Sequence, residues 1–421
     1  METRQSYGRH IAVAITCAFY MFFTAGAVFS AAGIYYTGIA EDFGVMRSQI
    51  VLWITIAFLA ATVTMPYTGR LFANKDARII CSIGAILIVI GEFIFAGAQS
   101  IEWLYVGAVP IGIGLQALGF VAPSTMLNRW FKKKIGLVLG IVMAMSGVGG
   151  IVFNYIGAAV LSAGNWHIGF AVTGICVLVI ALPLSIFAIR SYPSDCGLKM
   201  YGEDDDASDE EADKTQKKAL YGITASRAKK MLTFYLCIIF SFIAVFGTNC
   251  YQFFASYAQA LPVTQGDLAF AATLASTAMI GQLIGKIVLG MIADKSLTAA
   301  SVISFACGIV GVLMMILLTS SQITLLAGAF IFGWFYAAIN VISPLLVRAG
   351  FGTVEYSVIW ARVSALNTFA SAISMTVLAI VMDMFGFTTM FAIPIVVCIV
   401  CAIISLYVIA HDVKPEDGIL D

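Results

Sequence analysis

The sequence predicts an all-α membrane protein with twelve transmembrane helices in two six-helix bundles. Hydrophobic residues make up 61% of the 421 residues and charged residues only 11%, whereas a soluble domain carries about 25% charged residues. Apolar runs long enough to span a bilayer as helices recur along the whole chain. A charged segment divides these runs into two equal groups. Together the three observations favour a membrane protein built from two similar halves.

Each apolar run is predicted to be helical, because an open strand would leave backbone groups unpaired in lipid. The first run follows Arg4 and Arg9 and is longer than the apolar core of a signal peptide, so we expect a retained helix. The predicted spans cover residues 10–37, 48–72, 77–98, 101–128, 136–162, 166–190, 231–258, 268–293, 298–319, 322–347, 355–383 and 388–410.

The segment between the sixth and seventh spans differs in composition from the rest of the chain. It contains an acidic stretch over residues 202–213, followed by several lysines and arginines. Many charges with low hydrophobicity are typical of a solvated linker. The predicted domains are an N-terminal six-helix bundle over residues 1–190, a charged linker over 191–230 and a C-terminal six-helix bundle over 231–421.

Basic residues in the short connections lie almost wholly on one side of the predicted membrane, and the other side holds only Arg47. Because short cytoplasmic loops are rich in lysine and arginine, we expect both termini and the linker to be cytoplasmic. We also expect a multi-pass protein of the cell inner (cytoplasmic) membrane, in contact with the lipid bilayer. The cations are Arg70, Lys75, Arg78, Arg129, Lys132, Lys133, Lys134, Lys295 and Arg348.

The turn after span 2 and the turn after span 8 share a sequence pattern. The first reads G-R-L-F-A-N-K-D-A-R from Gly69 to Arg78, and the second reads G-M-I-A-D-K from Gly290 to Lys295. Each turn lies between the second and third span of its half. Such placement is typical of two parallel repeats related by an axis along the membrane normal.

These turns resemble the signature turn of the major facilitator superfamily, roughly G-x-L-x-D-[RK]-x-G-x-[RK]. The resemblance implies the major facilitator fold. In that family the aspartate of the turn ties helix ends together, which implies a coupling or gating role for Asp294. The first copy has Ala73 at the aspartate's place, and alanine cannot make this contact.

A narrower resemblance rests on N-R-W-F-K-K-K-I-G-L-V-L-G at residues 128–140, the glycines at 147–150 and D-M-F-G at 383–386. These stretches look like signatures of the monocarboxylate transporters and the oxalate:formate antiporters. The resemblance implies a secondary active transporter of small organic anions, mono- or dicarboxylates, that works by alternating access. It would act as an exchanger or a proton-linked symporter, with a counter-anion or a proton as the coupled species. We expect a monomer without cofactors.

A lysine near the middle of an apolar span carries the strongest functional signal. Lys286 lies within the run from Ala278 to Lys295, and a charge so deep in hydrocarbon is retained only where a partner, a cavity or a ligand offsets its cost. Its position four residues before Gly290 matches a substrate-binding arginine of both families, which implies contact with the substrate's carboxylate. The alternative is a lysine whose ammonium reaches back to the cytoplasmic face.

Four further residues have specific predicted roles. Arg362 is the other basic residue well inside a span and is a second candidate substrate contact; the alternatives are a cytoplasmic gate pair or a side chain that reaches back to the cytoplasmic face. Asn367 aligns with the charged residue of span 11 in the two families. Glu92, the carboxylate well inside a span, is a candidate for coupling, with a structural role as the alternative. Gln282 replaces an aspartate of proton-linked relatives, which favours exchange. Other candidate substrate contacts are Tyr35, Gln116, Asn249, Tyr336 and Asn340.

Several function classes find no support in the sequence. It contains no H-E-x-x-H, no G-x-S-x-G with a usable histidine and no G-x-x-x-x-G-K-[ST], so we expect no enzyme. Basic stripes with interleaved aromatic residues are absent, so we expect no nucleic-acid partner. The nine cysteines are interpreted as small buried apolar residues rather than metal ligands. A multidrug or sugar transporter of the same fold and a non-transporting sensor stay open as alternatives.

Overall fold

The computed structural model describes residues 8–131, 135–202, 222–352, 355–413 and 419–420. The chain divides into two compact units, unit 1 (Met1–Glu210) and unit 2 (Glu211–Asp421). Long helices make up nearly all of the described part of each unit. The predicted all-α membrane fold is confirmed.

Unit 1 contains six long helices that are apolar enough to cross a membrane. They are α1 (Gly8–Phe43), α2 (Arg47–Asn74), α3 (Ala77–Ala96), α4 (Ile101–Trp130), α5 (Ile135–Ser162) and α6 (Trp166–Phe187). Three of them change helix type inside the predicted membrane. α1 is π-helical at Phe22–Ser30 and 3-10 helical at Ala32–Tyr35, while α4 and α6 have π-helical turns at Gln116–Val121 and Val177–Ala181.

Unit 2 contains α7 (Leu232–Ala260), α8 (Leu268–Lys295), α9 (Leu297–Leu317) and α10 (Gln322–Phe351). A helical stretch over Tyr356–Ala410 follows and is interrupted at Gly386, which has φ 81°. This backbone conformation favours glycine, and it separates α11 (356–385) from α12 (387–410). Counted in this way, the described residues contain the twelve predicted membrane helices.

The two units pair their helices in the same way. In unit 1, α1 packs on α5, α2 on α4, and α3 on both α4 and α6. The equivalent pairs in unit 2 are α7 with α11, α8 with α10, and α9 with both α10 and α12. This equivalence is what the predicted internal repeat requires.

Small residues let equivalent helices approach closely in both units. In unit 2, a Cβ added to Gly281 of α8 would collide with the carbonyl oxygen of Phe330, and one added to Gly333 of α10 with that of Ala278. In unit 1, a Cβ added to Gly112 of α4 would collide with the backbone of α2. Lipid gives helices little hydrophobic reason to associate, so these backbone contacts stabilise the bundles.

The predicted linker and the segment after α12 both make backbone hydrogen bonds to their own units. The Tyr201 N–H donates to the Trp130 carbonyl oxygen at 2.9 Å in unit 1, and the Val413 N–H donates to the Ala349 oxygen at 2.9 Å in unit 2. A short parallel pair of strands joins β1 (Gly222–Ile223) to β2 (Ile419–Leu420). We call the end of each unit that carries these contacts its linker end, and the opposite end its far end. The acidic residues 203–213 lie outside the described residues.

Gly281→Ala is expected to destabilise the protein by about 1–3 kcal/mol, because the methyl group overpacks the crossing of α8 and α10. Gly290 lies on the same helix and has open space around its Cα. Gly290→Ala is therefore expected to leave stability unchanged or to raise it by up to about 1 kcal/mol. Thermal unfolding of both variants in one detergent measures the difference, and equal melting temperatures would contradict the role of the crossing.

Candidate functional site

Lys286 lies half-buried on α8 and has no hydrogen bond or charged partner among the described residues. The carboxylates within the six helices of unit 2 are Asp294 and Asp383. Asp294 is eight positions from Lys286, roughly 12 Å along the helix, and Asp383 lies near the far end of α11. The cation is thus retained in an apolar helix without a carboxylate to neutralise it.

A group of hydrogen-bonded side chains lies one helical turn from Lys286. The Tyr336 hydroxyl on α10 hydrogen-bonds to the side chains of Gln282 on α8 and Tyr251 on α7. The rings of Tyr251 and Tyr336 stack with centroids 4.4 Å apart, and Gln252 Nε2 donates to Tyr251 Oη at 2.8 Å. We call these four residues the polar cluster. Three helices contribute to it.

Local backbone features place the polar cluster beside Lys286. The 3-10 turn at Cys250–Phe253 buries both Tyr251 and Gln252 inside the unit. The glycines of α8 bring that helix against α10, since a Cβ on Gly285 would lie 3.0 Å from the Cα of Trp334. Gln282 can therefore reach Tyr336, and its side chain is 5% exposed. The predicted candidates Gln282 and Tyr336 thus contact each other.

The other predicted residues of unit 2 occupy different surroundings. Asn249 is buried and donates through Nδ2 to Ser374 Oγ at 2.7 Å, a bond between α7 and α11. Asn340 is exposed, and Asn367 is half-buried. Arg362 donates to the Ala225 carbonyl oxygen at 3.4 Å. That contact holds Arg362 against the segment preceding α7.

In unit 1, three predicted residues are buried. Gln116 lies in the π-helical turn of α4 with 2% exposure, and its Nε2 has no partner among the described residues. Tyr35 packs its ring against Phe170 at 4.9 Å between centroids. Glu92 on α3 is 1% exposed. Tyr35 of α1 and Glu92 of α3 lie in the far half of the unit, whereas Gln116 lies near the middle of α4.

The linker end of unit 1 is tied by a carboxylate that the sequence pattern did not indicate. Asp76 accepts the N–H of Arg78 at 2.9 Å, and its Oδ2 accepts two further bonds from the Arg78 guanidinium at 2.8 and 2.6 Å. Ser191 after α6 donates to Asp76 Oδ1 at 3.3 Å and accepts the N–H of Ala77. Asp76 stands three residues after Ala73 in the sequence, and it caps the start of α3.

Asp294 makes no comparable contact among the residues described for unit 2. Its side chain is exposed and lies in a largely apolar groove between α8 and the start of α9. The implied tie between helix ends is therefore not formed by Asp294 within this part of the chain. Its proposed gating role stays a prediction.

A model of the Major Facilitator Superfamily matches residues 17–270 and 237–419. An Arabidopsis thaliana protein named as a candidate glycerol-3-phosphate transporter is 28% identical over 276 residues, covering 59% of this chain and 52% of that protein. The MFS-type transporter opdF of Penicillium oxalicum is 33% identical over 144 residues, covering 34% of this chain and 32% of that protein. The matches thus span about half or less of these relatives.

Two solved structures are similar over nearly the whole chain. A bacterial homologue of the human lysosomal transporter Spinster, inward-facing and occupied, gives a TM-score of 0.71 at 13% identity and covers 99% of both chains. The nucleoside transporter NupG gives 0.69 at 12% identity, covering 96% of this chain and 98% of its own. At such identities the likeness shows the fold alone. The proteins named are transporters rather than enzymes, and the resemblance to monocarboxylate and oxalate:formate carriers stays a prediction.

Asp76→Ala is expected to cost about 1 kcal/mol of stability near neutral pH, because the helix cap of α3 is lost. Hydrogen bonds from Arg78 hold the pKa of Asp76 below its usual value. A carboxyl with a lowered pKa in the folded state stabilises it at neutral pH, and the contribution is lost as the pH falls through that pKa. The stability difference from the parent should therefore be smaller at an acidic pH, below the usual aspartate pKa of about 4, than at neutral pH.

Thermal unfolding at the two pH values measures this difference. Asp76→Asn is the matched variant, since asparagine can cap a helix without a charge. It should recover part of the loss at neutral pH and show a weaker pH dependence than the parent. If the stability difference between Asp76→Ala and the parent is the same at both pH values, the charge of Asp76 makes no contribution.

Proposed function

Because this chain belongs to the Major Facilitator Superfamily, we propose that it is a secondary active transporter of small organic anions that works by alternating access. The observation that carries the anion class is Lys286, a half-buried cation without a charged partner among the described residues. Charges inside membrane helices mark substrate or ion pathways far more often than they stabilise the fold. An anion bound at Lys286 would supply the missing countercharge.

The polar cluster supplies neutral groups for such an anion. An ammonium group offers three donors, and the amide of Gln282 lies one turn away. The hydroxyl of Tyr336 fixes the orientation of that amide through a hydrogen bond. A carboxylate accepts several hydrogen bonds at once, so Lys286 and Gln282 together match one carboxylate group.

Arg362 bears on the number of anionic groups in the substrate. Its guanidinium is directed to the Ala225 carbonyl oxygen at the linker end, and Glu355 accepts the N–H of Ala225 at 2.5 Å. Lys286 is then the cation well away from the helix ends, among the described helices of unit 2, that has no assigned contact. A single cation favours monocarboxylates over dicarboxylates.

Phosphate esters are a second candidate class. The Arabidopsis thaliana relative is named as a candidate glycerol-3-phosphate transporter and matches 59% of this chain. A phosphate group would also be bound by the ammonium of Lys286. The two classes share the cation but differ in charge, since a phosphate ester carries nearly two negative charges at neutral pH.

The remaining elements of the proposal follow from the sequence. The positions of lysine and arginine favour cytoplasmic termini in the inner membrane. The coupled species would be a proton or a counter-anion, and the functional unit a monomer. Multidrug or sugar transport by the same fold is less favoured, because deep basic charge suits an anionic substrate.

Lys286→Gln is expected to lower the affinity for the transported anion by roughly 30-fold or more, because a desolvated charged hydrogen bond is lost. Liposomes that contain the purified protein are loaded with unlabelled monocarboxylates, dicarboxylates or glycerol-3-phosphate, and uptake of the labelled compound is followed. Lys286→Arg should retain part of the affinity. Lys295→Gln is the matched control, since Lys295 is exposed in the last turn of the same helix.

Two outcomes would overturn the assignment. If Lys286→Gln exchanges the anion as well as the parent and Lys295→Gln, Lys286 does not bind the substrate. If the parent moves none of the anions but exchanges a neutral sugar or a cationic compound, the substrate class is wrong. Uptake of glycerol-3-phosphate without uptake of carboxylates would identify phosphate esters as the substrate class.

A further inference from the structure

A carboxyl group and a hydroxyl group are enclosed in unit 1 without partners among the described residues. Glu92 on α3 is 1% exposed and Tyr35 on α1 is 4% exposed. Neither Glu92 Oε2 nor Tyr35 Oη has a hydrogen-bond partner there. An ionised carboxylate in such surroundings is costly unless it is paired. The pair is therefore not explained by packing alone.

Glycines on α5 and α6 make space for the side chains of Tyr35 and Glu92. A Cβ added to Gly169 of α6 would collide with Tyr35 Oη, and one added to Gly157 of α5 would lie 3.0 Å from the same atom. On α6, a Cβ at Gly174 would lie 3.1 Å from the Cβ of Glu92. The hydroxyl and the carboxyl thus border the same helix, and the two groups interact electrostatically.

Other titratable groups on the neighbouring helices are engaged elsewhere or exposed. On α4, Glu102 is exposed and the Tyr105 hydroxyl donates to the Gln49 carbonyl oxygen at 2.8 Å. On α6, Cys176 is half-buried and His167 Nε2 lies 3.8 Å from Asp42 Oδ2. On α2, Arg47 lies in the first turn at the far end. Among the described residues, Glu92 interacts electrostatically with the Tyr35 hydroxyl.

The far end of unit 1 offers an approach to this pair. Asp42 at the end of α1 accepts a hydrogen bond from Trp166 Nε1 at 3.0 Å and faces His167. His167 precedes Gly169 by two residues, and Gly169 borders the Tyr35 hydroxyl. Glu92 itself lies one helical turn before the end of α3 at Ala96. The polar contact of Asp42 with His167 therefore lies about half a helical turn along α6 from the glycine beside the Tyr35 hydroxyl.

We propose that Glu92 and Tyr35 form a proton-binding site inside unit 1. The Glu92 carboxylate takes up one proton from the far end and becomes a neutral carboxylic acid, and it returns that proton in the reverse step. In the proposed ionised state the Tyr35 hydroxyl, which makes no hydrogen bond to a described residue in this structure, donates one to the carboxylate and so lowers the cost of its charge. The use of this site in anion transport rests on the function proposed above, in which one proton would accompany one monocarboxylate.

Infrared spectroscopy of the reconstituted protein tests the site without any substrate. A protonated carboxyl buried in the parent should give a carbonyl stretching band at neutral pH that disappears in Glu92→Gln. Glu102→Gln is the matched control, since Glu102 is exposed near the same end, and it should keep the band. Tyr35→Phe should keep the band to higher pH, because the ionised form loses a hydrogen bond. A parent spectrum identical to that of Glu92→Gln from acidic to alkaline pH would overturn the proposal.

Uptake into liposomes tests the coupling. With an inward proton gradient of about tenfold, transport of one proton with each anion accumulates the anion up to about tenfold. Glu92→Gln should lower this ratio to about one while exchange at equal pH continues. If the parent accumulates the anion equally with and without the gradient, the coupling role is excluded and the anion function stands. If no anion enters at all, the proposed function fails and the infrared band alone decides the proton site.

Discussion

The close crossing of α8 and α10 is the contact on which the candidate site of unit 2 depends. A bilayer surrounds apolar helices with an equally apolar medium, so their association relies on backbone contact and on hydrogen bonds between them. Gly281 and Gly333 allow that contact. The same crossing brings Gln282 to Tyr336 and sets Lys286 one turn away. A larger residue at either glycine would separate the polar groups as well as the helices.

The two units carry ionisable groups of opposite kind inside their helices. Unit 2 holds Lys286 in α8, and unit 1 holds Glu92 in α3. The helices that carry them are not equivalent in the repeat, since α8 corresponds to α2. The shared helix pairing therefore supports two different polar sites.

Much of the fold follows from the sequence because the thickness of a bilayer dictates helix length and composition. The twelve spans, their division into halves and the break at Gly386 were all predicted from apolar runs and turn residues. Lys286 and Glu92 were recognisable because charge is rare in such runs. The bonds of Tyr336 and Asn249 were not predictable, since they depend on which face each helix turns to its neighbour. The cap at Asp76 was not predicted, because the family turn pattern places its aspartate three residues earlier. The contact of Arg362 with Ala225 was not predicted, because the linker was expected to be solvated.

Each unit closes its linker end with its own following segment. Tyr201 bonds to Trp130, the last residue of α4, and Val413 bonds to Ala349 in the last turn of α10. Both bonds join residues of the same half. Because Tyr201 and Trp130 both precede α7 in the chain, the bond of the first half needs no residue of the second half. Each half thus secures the end of its fourth helix with residues of its own.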